Sequence, residues 1–290
     1  MPAYDLNGKV ALVTGGARGI GFETARQMHM RGASIAVVDL DLDEARDAAE
    51  RIGERTLGIA ADVTDAGAMR AAVAQSVERF GGLDVAMANA GLAPPSLATM
   101  RSVSPEEWER VVEVNLFGVW HTVRAALPQV SERKGHIVVV ASVAAFANGM
   151  LGSSYMTSKA AVEQMGRALR IELTPFGASA SVAYFGWVDT RMVQDTFARP
   201  GANVLEEIAP DFLMRRIKPE EAGAAVVKGI EERAPRIFAP GWWRYLSAVR
   251  GLLTPLLDRR SERDPRIAAA IRDAEALEAG DADTASTASR

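Results

Sequence analysis

The chain of 290 residues contains no cysteine and only three histidines. Without cysteine it has no disulfide, no thiol nucleophile and no thiolate-ligated zinc or iron–sulfur site. The histidines, at positions 29, 121 and 136, lie far apart and form no His-Glu-x-x-His pattern, so the sequence predicts no metal site. Disulfide, thiol and metal chemistry are therefore not expected.

Long apolar runs and blocks of one charge sign are also missing. No apolar run approaches the ~18 residues of a membrane span, and the first residues show no charged region followed by a long apolar one, so we expect no signal peptide. The 33 basic and 37 acidic residues give a net charge of −4, and no basic block marks a nucleic-acid interface. We therefore expect a cytoplasmic protein that binds no nucleic acid.

Apolar residues make up 48% of the chain, and they alternate between short runs and longer amphipathic stretches. This alternation is typical of buried parallel strands joined by helices that cover both faces of the sheet. The sequence predicts an α/β fold, a doubly wound, Rossmann-like parallel sheet of about seven strands within residues 1–240. The predicted strands are Val10–Thr14, Ser34–Asp39, Thr56–Ala61, Val85–Asn89, His136–Val140, Ser179–Tyr184 and Arg236–Ala239.

A glycine-rich segment, residues 14–21, follows the first predicted strand and precedes a helix. Its sequence is Thr-Gly-Gly-Ala-Arg-Gly-Ile-Gly, with the spacing Gly-x-x-x-Gly-x-Gly. Glycine lets the backbone turn sharply and come close to a ligand, and a helix N-terminus offers free N–H groups to a pyrophosphate. At the first crossover of an α/β chain this pattern predicts a dinucleotide site, although a tight strand–helix turn without a ligand is the structural alternative.

The end of the second predicted strand carries Asp39, 18 residues after Gly21. A carboxylate there accepts hydrogen bonds from ribose hydroxyls and repels a 2′-phosphate, which favours NAD over NADP. Arg18 in the glycine loop argues the other way, because a cation there could hold that phosphate. Asp39 could instead be the N-cap of the next helix. We expect NAD.

Tyr155 and Lys159 are four residues apart on a predicted helix and therefore share one face. An ordinary tyrosine titrates near ~10, and a nearby ammonium lowers its pKa, which suits proton transfer with an alcohol. Ser142 lies at the carboxyl end of a predicted strand, where ligands bind in such sheets. We therefore expect Ser142, Tyr155 and Lys159 to meet.

Taken together, these motifs resemble the short-chain dehydrogenase/reductase family over residues 6–239. The resemblance implies a catalytic tetrad of Asn115, Ser142, Tyr155 and Lys159. In it Tyr155 is the general acid or base, Ser142 bonds the substrate oxygen, Lys159 lowers the tyrosine pKa and binds ribose, and Asn115 holds a relay water. The implied cofactor-binding residues are Gly15, Arg18, Gly19, Ile20, Gly21, Asp39, Asp62, Val63, Asn89, Ala90, Gly91, Tyr155, Lys159, Gly186, Val188 and Thr190.

The activity expected from this resemblance is NAD(H)-dependent interconversion of a hydrophobic secondary alcohol and its ketone. Two alternatives remain open: an NADP(H)-dependent carbonyl reductase, and a nucleotide-binding sensor without turnover. The chain departs from the family pattern at Phe185, where proline is common, so the loop beside the nicotinamide lacks the fixed φ angle that proline would impose. Residues 190–215 are expected to form a substrate lid with apolar residues at positions 192, 193, 197, 205, 208 and 212–214.

The family usually associates through two long helices, here Glu106–Glu132 and Tyr155–Phe176, which predicts a homodimer or homotetramer.

Residues 241–280 go beyond the family's minimal fold and predict an amphipathic helix interrupted near Pro255. Three uses compete for this extension: packing on the domain or a neighbouring subunit, shaping the substrate mouth, and contact of residues 241–257 with a membrane surface, which is not favoured. Asp281–Arg290 is predicted to be a disordered tail.

Overall fold

A computed structural model of the chain describes residues 3–147, 149–199 and 210–288. Its centre is a sheet of seven parallel strands in the order β3-β2-β1-β4-β5-β6-β7, which confirms the predicted fold. The strand order reverses between β1 and β4, and the carboxyl ends of these two strands flank the crevice where open α/β sheets bind ligands. The strands are β1 Val10–Thr14, β2 Ser34–Asp39, β3 Thr56–Ala60, β4 Val85–Ala88, β5 His136–Val140, β6 Ser179–Phe185 and β7 Arg236–Ala239.

Helices cover both faces of the sheet because almost every strand residue is apolar and buried. One face packs on α1, α2 and α9, and the other packs on α3, α5 and α6. The helices are α1 Gly19–Met30, α2 Leu42–Ile52, α3 Ala66–Phe80, α4 Pro105–Val112, α5 Gly118–Glu132, α6 Ser153–Glu172, α7 Arg191–Phe197, α8 Asp211–Met214, α9 Pro219–Glu231, α10 Trp243–Arg263 and α11 Pro265–Ala288. None of the described helices is both long and apolar enough to cross a membrane.

The helix predicted over Glu106–Glu132 is not regular throughout. Between α4 and α5 the chain forms one π-helical turn, Glu113–Phe117, and the predicted catalytic residue Asn115 lies inside it. A π turn inserts an extra residue into the helix and is frequent at functional sites. The hydrophobic periodicity of this segment did not reveal the turn, because one inserted residue shifts the pattern only slightly.

The C-terminal region differs from the prediction in two ways. Helix α10 continues through Pro255. A proline removes one hydrogen bond from a helix, and the leucines around it are strong helix formers. Helix α11 extends to Ala288, whereas residues 281–290 were expected to be disordered; the alanines of this segment favour a helix. Residues 289 and 290 lie outside the described part of the chain, as do positions 205 and 208 of the expected lid.

A buried histidine ties β5 to β6 at the end of the sheet opposite the crevice. The His136 ring lies 2.7 Å from Ser179 Oγ through Nδ1 and 2.8 Å from Ser181 Oγ through Nε2. The Ser181 hydroxyl donates its proton to the carbonyl of Ala234 and so accepts from Nε2–H, while Ser179 accepts from Arg233 and donates to Nδ1. This network fits a neutral ring, and burial followed by the charge of Arg233 lowers the pKa of His136 to about 3.

We expect this histidine to make the protein sensitive to acid. An unfolded chain protonates the ring below pH ~6.5, while the folded protein resists protonation until about pH 3, so stability falls as the pH falls through this window. Between pH 6.5 and 4.5 the loss from this group is about 2 to 3 kcal/mol. Urea unfolding at both pH values should show a smaller decline for His136→Gln than for the wild type. Equal declines in wild type and His136→Gln would contradict this.

Candidate active site

The glycine loop between β1 and α1 is built so tightly that side chains have no room. A Cβ atom at Gly21 would lie 2.2 Å from the carbonyl oxygen of Gly15, and one at Gly15 would lie 2.9 Å from the Cα of Ala90. Gly15 and Gly19 also have φ angles of +60° and +57°, which glycine adopts without strain. The loop therefore brings its backbone N–H groups and the start of α1 to the crevice between β1 and β4.

Thr14 and Asn89 connect the glycine loop to the end of β4. The Nδ2 group of Asn89 donates to the carbonyls of Thr14 and Gly15 at 2.9 and 3.0 Å. The hydroxyl of Thr14 accepts from the backbone N–H groups of Asn89 and Ala90 at 3.1 and 3.2 Å. Asn89 thus holds the glycine loop from the β4 side. Thr14, which was not among the predicted site residues, also forms hydrogen bonds that connect the loop to the end of β4.

Asp39 lies at the end of β2 and faces the glycine loop. Its carboxylate accepts hydrogen bonds from the N–H of Ala17 at 3.0 Å and of Leu40 at 2.9 Å. The N-cap of α2 is Asp41, so Asp39 does not have the capping role considered as its alternative. Arg18 lies 3.5 Å from the carboxylate of Glu44, and both side chains are largely exposed. The cation that could have favoured a 2′-phosphate thus pairs with a carboxylate.

Asp62 and Val63 follow β3 at the edge of the same crevice. Asp62 accepts hydrogen bonds from the backbone and hydroxyl of Thr64 and lies 3.7 Å from Arg110 of α4. Partial burial raises the pKa of Asp62, but the Thr64 hydrogen bonds and the Arg110 charge outweigh it and lower the pKa overall. Arg110 also lines the crevice. No sequence motif singles it out, because its role depends on the packing of α4.

The crevice forms one continuous cleft from β2 and β3 across to β6. All of the predicted cofactor-binding residues line this cleft except Gly21, which contacts the loop itself. At the far end Thr190 packs toward the glycine loop, with its Cγ2 atom 3.3 Å from the position of a Cβ at Gly19. The N–H of Gly186 donates to the carbonyl of Ala239 at 3.0 Å. The loop after β6 is therefore held in place although Phe185 stands where the family often has proline.

Tyr155 lies at the junction between this cleft and a second, mostly apolar cavity. Its phenol lies beside Ser142, whose own Oγ contacts the carbonyl of Phe185 at 3.4 Å. Burial raises the pKa of Tyr155, while the Ser142 hydroxyl acts in the opposite direction. The net direction is upward, so the lowering expected from Lys159 is not found.

Lys159 is buried one helical turn after Tyr155. Its Nζ lies 5.6 Å from the centre of the Tyr155 ring and donates to the carbonyl of Val140 at 3.0 Å. Burial lowers the pKa of Lys159 to about 8. The ammonium is thus still the main form at neutral pH, but it is held by the end of β5 and does not contact the phenol directly.

Asn115 projects from the π turn toward the loop after β4. Its Oδ1 accepts from the N–H of Leu92 at 2.7 Å, and its Nδ2 donates to the carbonyl of Leu92 at 2.9 Å and to Ser158 at 3.3 Å. A Cβ at Gly91 would lie 3.0 Å from Asn115 Oδ1 and 3.5 Å from Lys159 Nζ. The structure therefore brings Asn115 and Lys159 together beside Gly91, and Lys159 in turn lies near the Tyr155 ring.

The second cavity has a volume of about 720 Å³ and contains the hydroxyl groups of Ser142 and Tyr155. Its wall includes Met192, Val193, Leu213 and Met214 of the expected lid, and Met150 and Leu151 of the loop before α6. Phe197 packs on Trp187 instead, and Phe212 is exposed. Trp243, Ile267 and Ile271 of the C-terminal extension also line the cavity. The sequence pattern does not single out these three, because an amphipathic pattern does not show which surface a helix covers.

Comparison with known proteins agrees with this geometry. The family model described as short chain dehydrogenase matches residues 9–201. The chain is 37% identical to cyclohexanol dehydrogenase of Rhodococcus sp. (strain TK6), covering 76% of this chain and 88% of that protein. It is 31% identical to (-)-trans-carveol dehydrogenase of Rhodococcus erythropolis, covering 66% and 74%. A short-chain type dehydrogenase/reductase from Mycobacterium marinum superposes with a TM-score of 0.72 at 30% identity, covering 81% of this chain and 94% of that one.

The chain belongs to the short-chain dehydrogenase/reductase family. It is an NAD(P)-dependent oxidoreductase that acts on CH–OH groups, and the motif-based identification of the family is confirmed.

Proposed function

We propose that this protein is an NAD(H)-dependent enzyme that interconverts a hydrophobic secondary alcohol and its ketone, with Tyr155 as the general acid or base. The observation that carries this proposal is the position of Tyr155, whose phenol lies between a cleft lined by dinucleotide motifs and an apolar cavity. An oxygen bound beside Tyr155 and Ser142 would have its carbon facing the cleft. The cyclic alcohols in the names of two relatives support the same substrate class.

The cleft residues fit a dinucleotide. A Cβ at Gly15 or Gly21 would fill the space behind the loop, and the start of α1 carries no side-chain cap, so its N–H groups are available to a pyrophosphate. Asp39 would hold the adenine ribose, and Lys159 the nicotinamide ribose. When bound, the nicotinamide supplies the hydride chemistry that protein side chains lack.

Tyr155 and Ser142 would handle the proton at the substrate oxygen. In ketone reduction the phenol gives its proton to the oxygen, and in alcohol oxidation the phenolate takes the hydroxyl proton. Ser142 holds that oxygen through a hydrogen bond in both directions. Burial favours the protonated phenol, and the neighbouring Ser142 hydroxyl favours the phenolate. These opposing influences on the pKa of Tyr155 would let the same side chain act as the acid in ketone reduction and as the base in alcohol oxidation.

Asn115 would act through the loop that it holds. Its two hydrogen bonds with Leu92 keep Gly91 against Lys159. We propose that this arrangement places the relay water from which Lys159 and Tyr155 recover their proton.

The cofactor preference is a separate prediction. Asp39 lines the cleft at the end of β2, where the adenine ribose would lie, and a carboxylate there would raise the free energy of a bound 2′-phosphate dianion. We expect the Kd for NADH to be about 10- to 100-fold lower than that for NADPH, or about 1.4 to 2.8 kcal/mol, and Asp39→Ala to remove most of this difference. Fluorescence titration with both nucleotides measures it, with Asp43→Ala on the exposed start of α2 as the control. Tighter NADPH binding by the wild type would favour the carbonyl-reductase alternative.

A substrate screen tests the activity itself. Neutral cyclic secondary alcohols are incubated with NAD and the purified protein, and the absorbance of the reduced nicotinamide is followed. We expect turnover of several apolar alcohols and none of sugar alcohols of similar size. Nucleotide binding without turnover of any alcohol or ketone would support the sensor alternative.

We also propose that the enzyme is a homodimer or homotetramer. Large apolar side chains are exposed on the two long helices: Phe117 (51%), Trp120 (44%), Ile171 (74%) and Phe176 (57%). Burying these residues against a second copy would remove the apolar surface from water. Light scattering after gel filtration would reveal the assembly.

A further inference from the structure

The substrate cavity has one wall that lies outside the part of the chain matched by the family model, which ends at residue 201. Helices α10 and α11 contribute three apolar residues and three polar or acidic ones to this wall: Trp243, Ile267 and Ile271, and Asp258, Ser261 and Glu262. These residues line the apolar cavity and not the nucleotide cleft. The extension therefore borders the apolar cavity and leaves the lining of the nucleotide cleft unchanged.

The first anchor of the extension lies directly behind the nicotinamide end of the cleft. Trp243 is 6% exposed, packs edge-on against Phe146 with ring centres 6.3 Å apart and stacks on Trp242. Its Nε1 is 2.6 Å from the position of a Cβ at Gly186. The absence of a side chain at Gly186 therefore makes room for the start of α10.

The second anchor joins α10 to the helix that carries Tyr155 and Lys159. The guanidinium of Arg250 makes two hydrogen bonds with the carboxylate of Glu163, at 2.8 and 2.6 Å, and the Glu163 side chain is 6% exposed. Glu163 lies one helical turn beyond Lys159. A paired, two-point contact of this kind fixes direction as well as distance, so α10 is held relative to the active-site helix.

The third anchor holds α11 on the loop before α4. Glu275 pairs with Arg101 and accepts from the hydroxyl of Thr99 at 3.0 Å. Ala270 and Ala274 are buried on the same helix. With α11 held at this end, Ile267 and Ile271, one helical turn apart, face the cavity.

We propose that α10 and α11 form a fixed wall of the substrate cavity and select bulky, uncharged alcohols of more than one ring. This inference rests on the proposed function and adds the substrate size and the residues that set it. The cavity volume of about 720 Å³ lies within the ~300–1,000 Å³ of pockets for drug-sized ligands, so a single six-membered ring would leave much of it unfilled. A larger apolar substrate gains binding energy from every wall contact it makes while its carbinol lies at Tyr155 and Ser142.

The test compares neutral alicyclic secondary alcohols with one to four fused rings. For the wild type we expect kcat/KM to rise from one ring to three or four. Narrowing the cavity with Ile271→Trp should lower kcat/KM for the largest alcohols by about 10-fold or more, the scale on which pocket size discriminates, and change that for cyclohexanol by less than about twofold. Ala268→Trp, on the exposed side of the same helix, is the matched control and should keep the wild-type profile.

Unchanged NADH affinity in the two tryptophan variants shows that the nucleotide cleft is intact. If Ile271→Trp does not fold, Ile271→Ala replaces it and should shift the ratio of kcat/KM for four rings over one ring in favour of four. The proposal is overturned by a wild type that prefers one-ring alcohols, or by cavity variants with the wild-type size profile. A wild type that oxidises no alcohol of any size instead contradicts the proposed function.

Discussion

Replacing Tyr155 by phenylalanine is expected to lower kcat for alcohol oxidation by about 10²- to 10⁴-fold, the contribution of a positioned general acid or base. The ring keeps its packing, and only the oxygen that exchanges a proton with the substrate is removed. Since the nucleotide motifs are untouched, the Kd for NADH should change by less than about threefold. Stopped-flow rates and nucleotide titration of the same preparation measure the two quantities.

Tyr245→Phe provides the control for this substitution. Tyr245 is 63% exposed on α10 and does not line either cavity, so its variant should retain wild-type rates. If Tyr155→Phe keeps more than a tenth of the wild-type kcat, another group transfers the proton and the proposed role of Tyr155 is wrong.

Replacing Gly21 by alanine should weaken nucleotide binding strongly. The added Cβ would lie 2.2 Å from the Gly15 carbonyl oxygen and 2.6 Å from Asn89 Nδ2, so the glycine loop and its hydrogen bond to Asn89 have to move. Overpacking of this kind costs about 1 to 3 kcal/mol of stability. A displaced loop no longer presents its N–H groups to the pyrophosphate. We expect the Kd for NADH to rise at least about 30-fold and Tm to fall.

Gly241→Ala is the matched control, because a Cβ at Gly241 has no atom within 4 Å and its φ is not positive. That variant should bind NADH with the wild-type Kd and unfold at the wild-type Tm. Wild-type binding and stability in Gly21→Ala would show that the loop does not have the tight path described above.

The strands and the glycine loop were predictable because their physical causes are local. Buried parallel strands are continuous apolar runs, and five residues such as Val10–Thr14 already show this; the structure has the same bounds. Gly15 and Gly19 have positive φ angles. Because glycine is the residue that adopts such angles without strain, this conformational requirement is visible in the sequence. The common position of the motifs at one edge of the sheet followed from the rule that ligands bind at the carboxyl ends of parallel strands.

What could not be predicted depends on packing between distant segments. The pKa of Tyr155 is raised because burial outweighs the neighbouring groups, and burial is not visible in a Tyr-x-x-x-Lys spacing. The pair of Arg250 and Glu163 joins residues 87 positions apart, so no local pattern indicates it. The apolar residues of α10 suggested an amphipathic helix, yet Leu252 (78%) and Leu256 (63%) are exposed while Trp243 is buried.

The most direct test of the account is the transfer of a labelled hydride. The best alcohol of the substrate screen is prepared with deuterium on its carbinol carbon and oxidised with NAD, and the reduced nucleotide is analysed by mass spectrometry. We predict that one deuterium appears in NADH for each ketone formed by the wild type, and that this transfer falls together with kcat in Tyr155→Phe. Ketone formation without deuterium in the nucleotide, or with deuterium lost to the solvent, would contradict hydride transfer at this site.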